Sequence, residues 1–411
     1  MTDAVLDTDD PEALIRLLMT PPFAHDPYSV ASRLRELAPM FRSELGFWFA
    51  SDYASCQDVF RSPDVGLGFN TARIEQDPRF ERSESLRLFG RMIPFMDPPD
   101  HTRIRQVLAP FFTPKAIEAS RPYTQALVDR LLDGIAAQGG GDLVSDYAES
   151  VPVAVMCQLL GGIGDDDQEQ CRAWSDGLVE AVHPVCTEEM MQHADDAAVG
   201  FREYFRALIA ASDGTGDDLM SRLITAHDDG ALDEDELLAN STTLVGAAYH
   251  NTRNHIATGI FTLLQHPEQL AALRADPSLA RAANEEVLRY EPPVQVTLPR
   301  VALVDTKNGD VELAAGEQVC GFLSGAARDP ERYERPNEFD IARVDGGSLA
   351  LAFGIHSCIG AAMARLEGEI AIGSFFRRFP EVTLVDHAPA LDEPGLPLTR
   401  GFTSIRVEIE T

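Results

Sequence analysis

One cysteine carries most of the chemistry that this sequence can express. Cys358 lies in the stretch Leu351-Ala-Phe-Gly-Ile-His-Ser-Cys358-Ile-Gly-Ala-Ala-Met-Ala-Arg365, with Gly354 before it and Gly360 after it. Both glycines can take backbone shapes that a side chain blocks, or let the backbone approach a large flat ligand. The run Ala361, Ala362, Met363, Ala364, Arg365, Leu366, Glu367 has high helix propensity. Cys358 is therefore expected at a helix N-terminus, where the dipole and free N–H groups favour thiolate over thiol. A lone thiolate held in this way suits an axial ligand to heme iron. The competing reading is a small buried apolar residue, the usual fate of a free cysteine.

Other residues could serve such a ligand. His101 and Arg105 stand four apart and so share a helix face. Heme carries two propionates, and buried carboxylates need hydrogen-bonded cationic partners; a solvated surface pair is the alternative. Asp233-Glu-Asp-Glu236 opens the longest helix with a capping-box-like start, and the helix is expected to run to His266, before Pro267. At about 34 residues it would span about 50 Å and cross the whole domain. Gly246, Ala247 and Ala248 let a ligand come close to it, and Leu244, Ala248, Asn251 and His255 share one face. Glu286 and Arg289, three apart, read alone as a surface pair worth a few tenths of a kcal/mol.

The elements that must position these groups are mainly α-helical, with small β-sheets. Residues 1–25 read as a loose lead-in. Tyr28 to Ala38 is a short amphipathic helix, Met40 to Leu45 a weak strand, Phe47 to Ala50 a stronger one, and Asp52 to Arg61 a helix. Residues 62–95 are irregular and longer than an ordinary connection. From Pro114 to about Ala226 the pattern is helical, broken near Gly139–Gly141 and Gly161–Gly162, with Trp174, Leu178 and Val182 at spacing four. Arg281 to Tyr290 is a helix; Leu298 to Leu313, Glu317 to Leu323 and Val382 to Glu410 hold short strands and turns.

Composition narrows the class. The 411 residues carry 34 basic and 66 acidic side chains, a net charge of -32. That argues against nucleic acid and anionic membrane as partners, since both need a basic face. No linker divides the chain, so residues 1–411 are expected to form a single domain. The six cysteines are scattered without a CxxC pair, which argues against a disulfide framework or a zinc site. The N-terminus has no apolar run of about 20 residues and no signal-peptide pattern, so a cytoplasmic location is expected.

The Cys358 stretch resembles the heme-binding loop of the cytochrome P-450 family, F-G-x-G-x-H/R-x-C-x-G. Gly354, His356, Cys358 and Gly360 match; Leu351 stands for the usual Phe and Ala352 for the first Gly. A second alignment takes Phe353-Gly354 as the Phe-Gly pair and makes the loop two residues shorter. Met96-Asp-Pro-Pro-Asp-His101-Thr-Arg-Ile-Arg105 is similar to D-P-P-x-H-T-x-x-R, in which His and Arg bind propionates. Glu286-x-x-Arg289 with Tyr290-x-Pro-Pro-Val resembles the buried ExxR pair, and Arg300 falls where the family has another propionate-binding Arg. Glu338 occupies the place of the Arg that completes the Glu–Arg–Arg network, and Arg343 or Arg335 could substitute. The long helix resembles the oxygen helix, A-G-x-D/E-T-T, with Ala248 for Gly, His250 for the acid, Asn251 for the first Thr and Thr252 for the second. The resemblance covers about residues 20 to 410.

It implies the cytochrome P-450 fold, with heme b between the long helix and the cysteine loop. Cys358 would be the iron ligand, and His101, Arg105, Arg300, His356, Gly354, Gly360 and Ala248 would line the cofactor. The expected activity is a dioxygen-dependent monooxygenase acting on a small organic or natural-product intermediate. His250, Asn251 and Thr252 would serve catalysis: imidazole can relay protons, an amide can donate a hydrogen bond, and the Thr hydroxyl assists if it points inward rather than to its own backbone. The loop at 62–95 would roof the pocket, and the helix around Gln168 to Val182 with the next helix would form its mobile lid, with His183, Pro184 and Cys186 in the turn between them. The altered His250–Asn251 pair leaves room for aryl coupling, nitrogen-centred chemistry or peroxide use, and a non-catalytic heme sensor is the reading from another class. The chain ends soon after the heme loop, so no fused reductase domain is expected. Electrons would come from a ferredoxin served by an NAD(P)H-dependent reductase, docking on a basic patch to which Arg103 and Lys115 contribute.

Overall fold

The computed structural model describes residues 8–18, 26–67, 78–183, 186–212, 214–385, 389–391 and 398–409. The helices that frame the site are α1 (Pro11–Leu18), α2 (Pro27–Leu37), α3 (Tyr53–Arg61), α4 (Glu84–Phe89), α5 (Asp100–Leu108), α6 (Asp165–Val179), α7 (Glu188–Ala211), α8 (Glu234–Gln265), α9 (Ala280–Tyr290) and α10 (Ala361–Arg378). The strands are β1 (Met40–Arg42), β2 (Phe47–Ala50), β3 (Val65–Gly66), β4 (Gly140–Asp142), β5 (Arg300–Ala302), β6 (Thr306–Asn308), β7 (Val311–Leu313), β8 (Gln318–Gly321), β9 (Val382–Leu384) and β10 (Arg406–Ile409). They form a sheet in the order β1-β2-β8-β5-β3, a second in the order β4-β10-β9, and the β6-β7 hairpin. Within the first sheet only β2 and β8 run parallel, with Phe49 opposite Cys320.

Helix α8 is the axis of the main core. Its start is set as the sequence implies: the Asp233 side chain accepts from the Glu236 N–H while Glu236 returns to the Asp233 N–H. It runs 32 residues, about 48 Å at 1.5 Å per residue, and Pro267 opens the next helix. Helices α6, α7, α9 and α10 pack around it, and Leu237, Leu244, Tyr249, Ile256 and Ile260 are buried there with Phe201, Phe205 and Phe375.

The lead-in differs from expectation. Pro11–Leu18 is a helix whose Leu14, Ile15 and Leu18 are buried against Val30, Leu34, Phe49 and Phe322. A segment of 8 residues does not hold a helix by propensity alone, so packing on the sheet supplies the stability. Residues 62–95 are not wholly irregular either: they hold β3 and α4, while 68–77 lie outside the described residues. The Asp195 carboxylate on α7 accepts from Ser83 Oγ, Ser85 N–H and Ser85 Oγ at 2.7, 2.9 and 2.7 Å, which fastens α4 to α7. Among the described residues no helix is long and apolar enough to cross a membrane.

Candidate active site

A cavity of about 420 Å³ lies between α8 on one side and the cysteine loop with the start of α10 on the other. Leu244, Ala248, Asn251 and His255 line it from one face of α8, as their spacing implies. Leu351, Ala352, Cys358 and Gly360 line it from below.

The cysteine loop is shaped by its backbone. Gly354 takes φ +71°, and a Cβ there would collide with the Phe60 carbonyl oxygen, so only glycine fits. Ala352 also takes a left-handed φ, +56°, which an alanine adopts at a cost. The Cys358 N–H donates to the Leu351 carbonyl at 2.9 Å. Phe353 turns away from the cavity and packs beneath the Arg61 guanidinium, 4.7 Å from its ring centre. Leu351 and Ala352, and not Phe353, thus line the cavity beside Cys358. Gly360 differs from expectation: with φ -80° it needs no special backbone freedom. Nor does the protein crowd it, since a Cβ would sit 3.9 Å from Cys358 Sγ, an ordinary contact.

Cys358 precedes α10 and is exposed to the cavity. Burial raises its pKa above the usual thiol value; a backbone N–H at Gly360 and the cations Arg105 and Arg365 oppose that rise. The helix terminus and the two arginines thus act against the rise that burial causes, and a cation bound at the sulfur would favour the thiolate further.

One edge of the cavity gathers His101, Arg105, Arg300 and His356. The rings of His101 and His356 lie 4.2 Å apart, centre to centre. Burial, His356 and Arg105 lower the His101 pKa to about 4. Arg105 donates to the Ser357 carbonyl at 2.8 Å and so ties α5 to the cysteine loop. Arg300 is 5% exposed, its guanidinium lies over the Phe60 ring at 5.0 Å, and burial lowers its pKa to about 10. Among the described residues it has no ion pair, and buried His101 Nδ1 and His356 Nε2 have no hydrogen bond. This donor set fits a ligand with two carboxylates. Sequence reading missed Asp97, whose carboxylate lies 3.4 Å from His356 Nε2 and accepts the Leu67 N–H at 2.8 Å. Its place in the Asp-Pro-Pro motif was the available signal.

On α8, Asn251 and Thr252 line the cavity and His250 does not. The His250 ring faces α6, with Nε2 3.3 Å from the Ser175 carbonyl oxygen and 3.6 Å from the Asp176 carboxylate. The expected proton relay at the cavity wall is therefore not where this imidazole points. Ser241, Thr242 and Thr243 turn their hydroxyls onto carbonyls four residues back, and Thr252 makes no such bond.

The Glu286–Arg289 pair is buried, at 2.7 Å with each side chain 3% exposed. Arg343 completes the network, 3.2 Å from Glu286, while Arg335 stays outside with Glu338 and Asp340. Arg103 is not available for a basic patch: it pairs with Glu236 and Asp100 at 2.7 and 2.8 Å. Lys115 is exposed. Trp174 packs on Phe201 and Tyr204 between α6 and α7, and no described residue of either helix lines the cavity; Pro184 lies outside the described residues.

The family model for cytochrome P450 matches residues 71–400. The chain belongs to the cytochrome P450 family. It is 36% identical over 395 residues to cytochrome P450 107B1 of Saccharopolyspora erythraea, covering 94% of this chain and 95% of that one. It is 34% identical over 405 residues to the cytochrome P450 monooxygenase PikC of Streptomyces venezuelae, covering 94% and 91%. Its fold superposes on the crystal structure of CalO2 with a TM-score of 0.89 at 27% identity, covering 96% and 98%. The cytochrome P450 is an enzyme that uses heme iron, dioxygen, an organic substrate and a redox partner.

Proposed function

We propose that this cytochrome P450 is a monooxygenase of a small, largely apolar organic or natural-product intermediate, using heme b held by Cys358. The observation that carries the reading is the placement of the Cys358 sulfur across one cavity from Asn251 and Thr252, with Arg300, Arg105, His101 and His356 together at its edge. Thiolate-ligated heme supplies oxygen activation when bound. Arg300 and Arg105 would neutralise the propionates; His101 Nδ1, which has no hydrogen bond, would be open to them, and so would His356 Nε2, which faces Asp97 at 3.4 Å without a hydrogen bond. Ala247 and Ala248 line the cavity from α8, and their small side chains would leave room for bound ligands. Asn251 and the unbonded Thr252 hydroxyl supply hydrogen bonds at the reacting side. Leu67, Ile93, Leu244, Val294 and Leu298 line the walls and suit hydrocarbon.

Electrons come from a separate ferredoxin in this reading. Its landing area in this reading includes Arg61, which packs on the cysteine loop, and the exposed Ile355 of that loop, with the exposed Lys115 as the second cation to be tested. Reversing the charge of Arg61 and Lys115 is expected to slow electron transfer and flatten its salt dependence; an unchanged rate and salt slope exclude this face.

The overall reaction inserts one oxygen atom: substrate C–H, dioxygen, two electrons and two protons give C–OH and water. Turnover under ¹⁸O₂ with ferredoxin, reductase and NAD(P)H tests it. One labelled oxygen in the product is expected. Oxidised product without label would instead favour oxidative coupling or nitrogen-centred chemistry, the reading to which the absence of His250 from the cavity wall lends support.

A further inference from the structure

We propose that Asn251 and His255 hold a bound water in the cavity wall, and that His255 is the residue that positions it. The two lie one turn apart on the same face of α8, and both line the cavity. His255 is 2% exposed, and burial lowers its pKa, so its ring is neutral.

Its tautomer follows from its neighbours. The Asn284 amide on α9 donates to the Arg365 carbonyl at 3.4 Å, which turns Oδ1 toward His255. His255 Nε2 lies 2.6 Å from that oxygen. An amide oxygen only accepts, so Nε2 carries the hydrogen and Nδ1 keeps a lone pair. Gly368 makes room for this arrangement: a Cβ there would collide with Asn284 Oδ1 and press on His255 Nε2 at 2.7 Å.

His255 Nδ1 is buried without a hydrogen bond, and so is Asn251 Oδ1. Both are acceptors, and Cβ atoms four residues apart on a helix face are about 5–6 Å apart. A water between them has two O–H donors, one for each, and two polar partners are enough to keep a buried water in place. With both hydrogens directed to the wall, the oxygen lone pairs face the cavity. The wall therefore offers an acceptor there, matched to a ligand O–H or N–H. The presence of the water is independent of the monooxygenase reading; only its part in substrate selection rests on it.

The test is a high-resolution crystal structure of the heme-loaded protein, beside His255→Leu and Asn251→Ala variants, with heme content and melting temperature measured on each. Asn251→Ala leaves the His255–Asn284 bond in place, so it reports even if His255→Leu does not fold. The expected result is a water within hydrogen-bond distance of both atoms in the wild type, lost in a folded variant with heme retained. No water at that position, or a direct Asn251 Nδ2 to His255 Nδ1 bond with the amide turned over, overturns the proposal. A water present in protein that takes up no heme leaves it standing and removes the monooxygenase reading instead.

Discussion

Arg343 and Glu286 form a buried ion pair at 3.2 Å, with side chains 6% and 3% exposed. Glu286 thus faces two cations, Arg289 on its own helix and Arg343 from the segment before the cysteine loop. Replacing Arg343 by Ala leaves the buried carboxylate with Arg289 alone, a loss of about 1.5–3 kcal/mol, the worth of one hydrogen bond to a charged group. Chemical denaturation should show that loss, or the protein should fail to accumulate. Arg335→Ala, by contrast, should leave the melting temperature nearly unchanged, because Arg335 and its nearer partner Glu338 are exposed. Equal effects of the two substitutions would assign the network to the wrong arginine.

His250 predicts an acid-side loss of stability. Burial lowers its pKa from the ordinary 6.5 to about 4, and the Ser175 carbonyl only partly opposes this. Below pH 6.5 the unfolded chain binds a proton there that the folded chain refuses until about pH 4. Stability therefore falls as pH drops through that window, by about 2 kcal/mol at pH 5 from this group. His250→Gln keeps the facing groups Asp176 and Arg253 and removes the titration. Urea midpoints at pH 7 and pH 5 should converge in the variant more than in the wild type; identical pH slopes refute the assignment.

Ala352 holds a left-handed φ of +56° where the family's glycine would be free of strain. Relief of that strain, about 1–2 kcal/mol, is opposed by the greater chain entropy of glycine, about 0.4–1 kcal/mol. Ala352→Gly should be neutral to slightly stabilising, and Ala352→Val clearly destabilising, in the same denaturation assay. Marked destabilisation by glycine would mean that the methyl group, not the backbone, shapes the loop.

Arg300 should act in opposite senses with and without cofactor. It is a buried cation without an ion pair among the described residues, so Arg300→Leu should raise the melting temperature of the heme-free protein. The same change should weaken heme retention by about tenfold or more, the worth of one charge-assisted hydrogen bond. A variant that keeps heme as well as the wild type would remove Arg300 from the propionate set.

Much of this site was legible in the sequence because its residues are tied to local backbone demands. Gly354 is forced by the approach of Phe60, and the α8 capping box marks that helix to within a residue. The shared face of Leu244, Ala248, Asn251 and His255 follows from helical spacing. What could not be read depends on contacts between distant segments. The direction of His250 is set by α6, 75 residues away, and the choice of Arg343 over Arg335 by where the chain folds back on α9. Arg103 looked like a free cation until Glu236 of the capping box was found against it. Helix α1 went unread because its 8 residues are stabilised by the sheet rather than by their own propensity.

The central claim is that Cys358 ligates heme iron as a thiolate. The most direct measurement is the absorption spectrum of the reduced, carbon monoxide-bound protein, wild type beside Cys358→Ser and Cys358→His. Wild type should show the strongly red-shifted Soret band that thiolate ligation would give the carbon monoxide complex, and both variants should lose it while retaining α-helical circular dichroism. A red-shifted band that survives in either variant would contradict the account.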